Sequence, residues 1–254
     1  MEQTQKVINY FNRDPGNYAA EYDALTAEGY SFRVRKQSLL VMLGSGSGRV
    51  LDIGCGPGVM SEEIAKQGWE YWGMDFSPEM IAVARKKFSE RERFHFSVGQ
   101  AEKTGFPENY FEAVVAMGLV EYLDDETAAV QEIRRVLKPN GILIVSLPNW
   151  WSPMRMWDRW LLTPFAWLVR LLTRRPPSTK LIHREYRLSA YRKFLREHGF
   201  ETLEWQTTNY RIIPRPFDFW FPRLAVWTAS WLERHLPAFC WFLGTSINLK
   251  ACRK

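Results

Sequence analysis

Residues 50–58 read Val50-Leu51-Asp52-Ile53-Gly54-Cys55-Gly56-Pro57-Gly58, and their reading decides the fold. An apolar run stops at three glycines, and an amphipathic segment, 59–67, comes next. The pattern predicts a strand, a tight turn and a helix start. Glycine adopts the backbone angles such a turn needs and lets a ligand approach bare main chain. The first turn of a helix adds N–H groups without intrahelical partners. The next strand-like run, Tyr71-Trp72-Gly73-Met74-Asp75, ends on an acid 21 residues after Gly54, where a carboxylate can hold a ribose diol. A dinucleotide-binding fingerprint would need glycine three positions after Gly56. Residue 59 is Val, which argues against that class.

Working outward, strands are predicted at 94–98, 110–116 and 142–147. The run at 110–116 is almost continuously apolar, as in a strand buried on both faces. Ser77-Pro78-Glu79 opens a helix with an N-cap, a proline at the first position and an acid in the first turn. A second amphipathic helix is expected at 127–137. Strands alternating with helices predict an α/β, doubly wound, mainly parallel sheet. The rhythm breaks at 148–182, resumes with a helix at 189–199 and a strand at 201–208, breaks again, and closes with a seventh strand at 245–252. Residues 4–43 read as helical, with Tyr10, Phe11, Tyr18 and Tyr22 on one side and a second helix at 31–43 that stops at a Gly/Ser run. The 254 residues are therefore expected to form one domain, with an N-terminal helical cap at 1–48 and insertions at 149–182 and 209–244.

Charge divides the chain. Residues 1–149 hold 16 Lys+Arg against 21 Asp+Glu, and residues 150–254 hold 18 against 7. Ten of the twelve tryptophans lie in the second part. Such asymmetry points to an anionic partner, lipid surface or nucleic acid. The three cysteines show no pairing pattern and are expected to be reduced thiols in a cytoplasmic protein. No stretch of 18 residues is free of charge, so no transmembrane helix is expected.

Val-Leu-Asp-Ile-Gly-Cys-Gly-Pro-Gly followed by Gly-Met-Asp-Phe-Ser-Pro-Glu-Met at 73–80 resembles the class I S-adenosylmethionine-dependent methyltransferases. The resemblance covers residues 50–149 and 183–205. It implies a Rossmann-like seven-stranded sheet whose last strand runs antiparallel between the fifth and sixth, and it implies S-adenosyl-L-methionine as cofactor. By resemblance, Asp52, Gly54, Cys55 and Gly56 meet the methionyl part of the cofactor. Asp75 meets the ribose, and Phe76 packs on the adenine. Gln100 and Ala101 face the adenine amine, with Gln100 where the family usually has Asp. Met117 and Gly118 line the other edge. Arg33 and Arg35 stand where the family often faces the cofactor carboxylate with an arginine. His183, in His183-Arg184-Glu185-Tyr186-Arg187, matches a segment that faces the acceptor pocket, and an imidazole with an ordinary pKa near 6.5 suits a base. Glu121-Tyr122 stands where many relatives have Glu-His, and Tyr122 is a second candidate for the acceptor side. The metal-binding acid and His of some relatives are replaced here by Gly118 and Tyr122, so no metal is expected.

The insertions fall outside the resemblance. Ser152-Pro153 and Thr163-Pro164 each predict a helix start, giving helices at about 153–162 and 164–173. If both run with one phase, Arg155, Arg159, Arg170 and Arg174 share a side beside Trp, Phe and Leu residues, as in an interfacial amphipathic helix. The second insertion carries Phe217, Phe219, Trp220 and Phe221, then a helix from Pro222 with Leu224, Trp227 and Trp231. So dense an aromatic surface predicts a lid over a lipophilic small-molecule acceptor (a quinone precursor, phenol or lipid) and peripheral seating on an anionic membrane. RNA methylation by the basic half and a non-catalytic membrane-associated binding protein are the alternatives. Because the aromatics alternate with Leu, Met and Val, no nucleic-acid partner is expected. The oligomeric state is not encoded in any motif.

Overall fold

The computed structural model describes residues 20, 22, 24–89, 91–173, 184–214, 217–236 and 238–254. His183, Tyr10, Phe11, Tyr18 and Arg174 lie outside the described residues, as does the part of the predicted 1–48 cap at 1–19, 21 and 23. The strands are β1 (Gly48–Ile53), β2 (Trp69–Asp75), β3 (Phe94–Val98), β4 (Phe111–Ala116), β5 (Leu137–Pro148), β6 (Phe200–Tyr210) and β7 (Gly244–Arg253). They form one sheet in the order β3-β2-β1-β4-β5-β7-β6. Strands β1 to β5 are parallel, and β7 is antiparallel to both β5 and β6. This is the Rossmann-like arrangement that the sequence predicted.

Period two explains why helices cover both faces. Along β1 and β4, Val50, Ala113 and Val115 face one apolar cluster, and Leu51, Val114 and Ala116 face the other. The first cluster is completed by α1 (Ala27–Leu43), α2 (Ser61–Lys66) and α3 (Pro78–Lys87) through Leu39, Ile64 and Ile81. The second is completed by α4 (Glu126–Val136) and α7 (Leu188–Glu197) through Val130, Ile133 and Leu195. Each of these side chains is fully or nearly fully buried, which stabilises the fold by roughly 1.5–3 kcal/mol apiece. Caps fix three helix starts. Thr26 accepts from Gly29 N, Ser77 from Met80 N and Asp125 from Ala128 N.

Some boundaries differ from the sequence reading. Helix α1 starts at Ala27 rather than 31, because Thr26 caps it. Helix α2 starts at Ser61 rather than 59, because three left-handed glycines lengthen the turn before it. Strand β5 begins at Leu137 instead of 142. Leu137 pairs with Phe111 and Ile142 with Ala113, so residues 138–141, between the expected helix and strand, form an irregularity inside the strand.

The first insertion departs further. Two helices were expected, but α5 (Pro153–Trp157), a π-helical turn (Asp158–Leu162) and α6 (Thr163–Thr173) adjoin without a break. A π turn widens the helix and shifts the phase of the turns beyond it. Arg155 and Arg159 do not face outward. Arg155 Nε donates to the Thr245 carbonyl (2.9 Å), and Arg159 pairs with Glu185 while its guanidinium lies 3.8 Å from the Trp150 ring centre. The predicted basic stripe therefore loses these two members to a carboxylate inside the protein, an outcome that a buried guanidinium requires. The second insertion holds α8 (Phe217–Trp220), α9 (Pro222–His235) and a 3-10 stretch (Ala238–Leu243).

Candidate active site

The strand order reverses at β1, with β2 on one side and β4 on the other. A crevice outside the carboxyl ends of these strands is where such sheets bind ligands. Three structures meet there: the glycine turn after β1, Asp75 at the end of β2, and the segment after β4.

Gly54, Gly56 and Gly58 all have left-handed φ values, 78°, 54° and 73°. L side chains rarely adopt these angles, so the sequence needs glycine here. The turn's amides are spent within the protein. Gly54 N and Cys55 N both donate to the Met74 carbonyl (2.7 and 3.1 Å), and Gly58 N donates to the Cys55 carbonyl (3.1 Å). The unpaired N–H groups expected for a ligand belong to the helix start and not to the turn itself. Gly56 N donates to Asp75 Oδ2 and Ser77 N to Asp75 Oδ1, both at 2.9 Å. Asp75 thus ties the turn to the start of α3, and burial pushes its pKa up. The Cys55 thiol is buried against Gly73, and burial pushes its pKa well up, so it is no nucleophile.

Asp52 accepts from Tyr71 Oη at 2.6 Å and is buried. Burial raises its pKa to about 7, with nearby Asp75 adding to the rise and the Tyr71 hydrogen bond opposing it. A cation arriving beside it would favour its charged form. Gly99 N donates to the Asp75 carbonyl (3.0 Å), which brings exposed Gln100 and buried Ala101 alongside. Phe76 is half-buried next to them.

The two predicted arginines part company. Arg33 Nη1 donates to the carbonyls of Tyr22 (2.9 Å) and Ala24 (2.8 Å), clamping the chain before α1. Arg35 instead reaches the segment after β4. A Cβ added to Gly118 would sit 2.5 Å from Arg35 Nη1, and Gly118 has φ +70°. The Nε of Arg35 is buried without a hydrogen-bond partner. Gly118 N donates to Ser146 Oγ of β5 (2.7 Å), and Leu119 packs where a side chain at Gly54 would go. Met117 is buried and Tyr122 half-buried in the same segment, which ends in a 3-10 turn at Val120–Tyr122.

The methyltransferase-domain family matches residues 51–145. The chain is 35% identical over 122 residues to a ubiquinone biosynthesis O-methyltransferase of Xanthomonas oryzae, across 46% of this chain and 49% of that protein. It is 31% identical over 176 residues to a ubiquinone/menaquinone biosynthesis C-methyltransferase of Paraburkholderia phytofirmans, across 66% of this chain and 71% of that one. This chain belongs to the S-adenosylmethionine-dependent methyltransferases. The alignment with the O-methyltransferase spans about half the length of that relative. In fold, the magnesium protoporphyrin IX methyltransferase of Synechocystis, solved with bound SAH, superposes with a TM-score of 0.66 at 16% identity, covering 99% of this chain and 100% of that one. A possible histamine N-methyltransferase of Thermotoga maritima gives 0.64 at 18% identity, covering 96% and 98%.

The segment after β4 also holds a charged group to which no role was assigned above. Glu121 is buried, and its Oε2 has no hydrogen-bond partner. Burial pushes its pKa up, and Arg35 and Arg155 oppose that rise. Behind it, Tyr186 Oη donates to the Val120 carbonyl (3.1 Å) and lies 3.4 Å from Glu126 Oε2. Buried Asn149, just after β5, donates to the Gly244 carbonyl (2.8 Å) and the Trp241 carbonyl (3.3 Å) and accepts from Trp151 N (3.1 Å). It fastens the root of the first insertion to the end of the second. The resemblance marks Glu121 as the Glu of a Glu-His pair but not its burial, and nothing flags Asn149.

The residues present fit the cofactor's chemistry: a glycine cradle that a Cβ would crowd, a buried acid at the end of β2, and an arginine with an unpartnered Nε.

Proposed function

We propose that the methyltransferase methylates a lipophilic acceptor bearing an aromatic hydroxyl, taken from an anionic membrane surface. The observation that carries this is the outer surface of the two insertions. Trp160, Phe165, Trp167 and Leu172 of the first and Phe219, Trp220, Trp227 and Phe239 of the second are all exposed, Phe219 by 81%. Apolar patches on that scale mark contact with a membrane or partner. The surrounding half carries 18 Lys+Arg against 7 Asp+Glu, and a basic residue near an anionic surface contributes about 1 kcal/mol. Among the described residues no helix is long and apolar enough to cross a membrane, so the contact is peripheral. The relatives named for ubiquinone and menaquinone biosynthesis support an aromatic, lipophilic acceptor.

When bound, the cofactor supplies a methyl group on a positively charged sulfur. Asp75 would hold its ribose, Phe76 and Ala101 would pack against its adenine, and Gln100 would accept from the adenine amine. Arg35 would take the carboxylate, since the turn's amides are occupied, and Asp52 the ammonium. Gly54, Cys55 and Gly56 give bare main chain for close approach, and Met117 and Gly118 form the facing wall. Tyr122 and His183 are the motif-based candidates for the acceptor side.

Mass spectrometry of lipid extracts from cells with and without this protein tests the reading. We expect a lipid-phase aromatic species to accumulate lacking one methyl group when the protein is absent. Extracts differing only in water-soluble species or in RNA methylation would overturn it.

A further inference from the structure

Glu121 is the strongest buried ionisable group near the crevice that the cofactor assignments leave unused. It sits in the 3-10 turn that leaves β4, two residues from Leu119, which packs on the glycine turn. Its Oε2 is buried and unpartnered. A carboxylate so placed carries a desolvation cost that a structural role would offset with a direct ion pair. Arg35 from α1 and Arg155 from α5 bear on it electrostatically, yet neither hydrogen-bonds that oxygen. Arg35 lies beside Gly118, and Arg155 binds the Thr245 carbonyl and stands 3.8 Å from Glu185. Tyr186 and Tyr191 are the remaining titratable groups that feel Glu121. The arrangement leaves one buried acceptor oxygen without a hydrogen-bond partner in the segment after β4, with two cations opposing the rise that burial gives its pKa.

We propose that Glu121 is the general base of the reaction, taking the proton from the acceptor hydroxyl at Oε2. The inference rests on the aromatic-hydroxyl reading above. As the acceptor atom forms its bond to the methyl carbon, the sulfur–carbon bond breaks and its electron pair stays on sulfur. The hydroxyl proton moves to Glu121 Oε2 and leaves later to solvent, so charge and atoms balance. A base of this kind contributes about 10²–10⁴-fold in rate. Burial raises its pKa and thereby improves it as a base near neutral pH. Metal-free proton removal also suits a site in which residues 118 and 122 are Gly and Tyr.

The test uses the full chain and Glu121→Gln, with Glu121→Asp as the charge-preserving control. An octyl-substituted 4-nitrocatechol serves as probe, because its absorbance reports ionisation without any methyl transfer. At pH 6 we expect the probe to ionise on binding the wild type and Glu121→Asp, and to stay neutral on Glu121→Gln. Cofactor affinity by calorimetry should stay within about threefold in all three, which also shows that each variant folds. Methyl transfer to the probe should fall at least about 100-fold in Glu121→Gln, and its pH profile should lose the acidic limb. Ionisation in wild type and Glu121→Gln alike, or in neither, would overturn Glu121 as base while leaving the acceptor class standing. No probe binding by the wild type would overturn the acceptor class, and the base with it. Loss of cofactor affinity in Glu121→Gln but not in Glu121→Asp would reassign the residue to holding Arg35, and so overturn the proposal.

Discussion

Asp75 accepts from Gly56 N and Ser77 N, and we propose that the same carboxylate holds the cofactor ribose. Asp75→Asn keeps its shape but loses the charge and one acceptor. Hydrogen bonds to charged groups contribute about 1.5–3 kcal/mol, so cofactor affinity measured by calorimetry should weaken roughly 10- to 100-fold. Arg35→Ala should weaken it by about tenfold or more, whereas Arg33→Ala should spare affinity and lower only stability, since Arg33 is bound to the carbonyls of Tyr22 and Ala24. Titration gives a second residue-scale expectation. Asp52 and Glu233 are both held at about 7 by burial. Each binds its proton more tightly folded than unfolded, so its contribution is complete below the ordinary carboxylate pKa and is lost as pH rises toward 7. Glu132 runs the opposite way. Paired with Arg135, it is held at about 2, and its contribution is lost as pH falls below the ordinary value. The melting temperature of the cofactor-free protein should therefore decline from about pH 5 to pH 7, and Asp52→Asn should flatten that decline. At this scale the sequence was informative where chemistry is local. Gly54, Asp75 and Ser77 are predictable from spacing and turn rules. It marked Glu121 by resemblance but was silent on its burial and on Asn149, because their neighbours come from distant parts of the chain.

At the scale of elements, the parallel sheet was legible because its strands are apolar on both faces and its helices carry their own caps. The insertions were legible as helices but not in their facing. Helical phase can be computed only while the turn stays regular, and the π turn at Asp158–Leu162 breaks it. The first insertion is oriented instead by Glu185, which pairs with Arg159 and stands 3.8 Å from Arg155. Glu185→Ala would remove the carboxylate that Arg159 pairs with and the nearest one to Arg155. We expect a loss of about 2 kcal/mol in unfolding free energy and faster hydrogen exchange through 153–162, with the sheet's exchange unchanged. The second insertion is held differently. Glu233 of α9 accepts from Asn209 N and Tyr210 N (3.3 Å each) at the end of β6, where Asn209 takes a left-handed φ of 61°. That residue's strain and the latch it serves both depend on tertiary contact, which no periodicity encodes.

For the whole molecule, we propose that the split between an acidic first part and a basic, Trp-rich second part is a split between cofactor and acceptor. The glycine turn, Asp75 and Gln100 stand in the former. The exposed rings of both insertions stand in the latter, fastened together through Asn149. Vesicle binding should track this division. Replacing Trp160, Trp167 and Trp227 together by Glu should lower partitioning onto anionic vesicles at least about 100-fold, since burial of each large apolar side chain stabilises by up to about 1.5–3 kcal/mol. Raised salt should weaken wild-type binding as well, because the attraction of the basic half is screened. The most direct test of the central claim combines both halves. Purified protein is incubated with methyl-labelled S-adenosylmethionine and anionic vesicles carrying a cellular lipid extract, and label is counted in the organic phase. The account predicts label in the organic phase, lost in Asp75→Asn and in the triple tryptophan variant. Label that remains wholly in the aqueous phase while the protein binds its cofactor would contradict it.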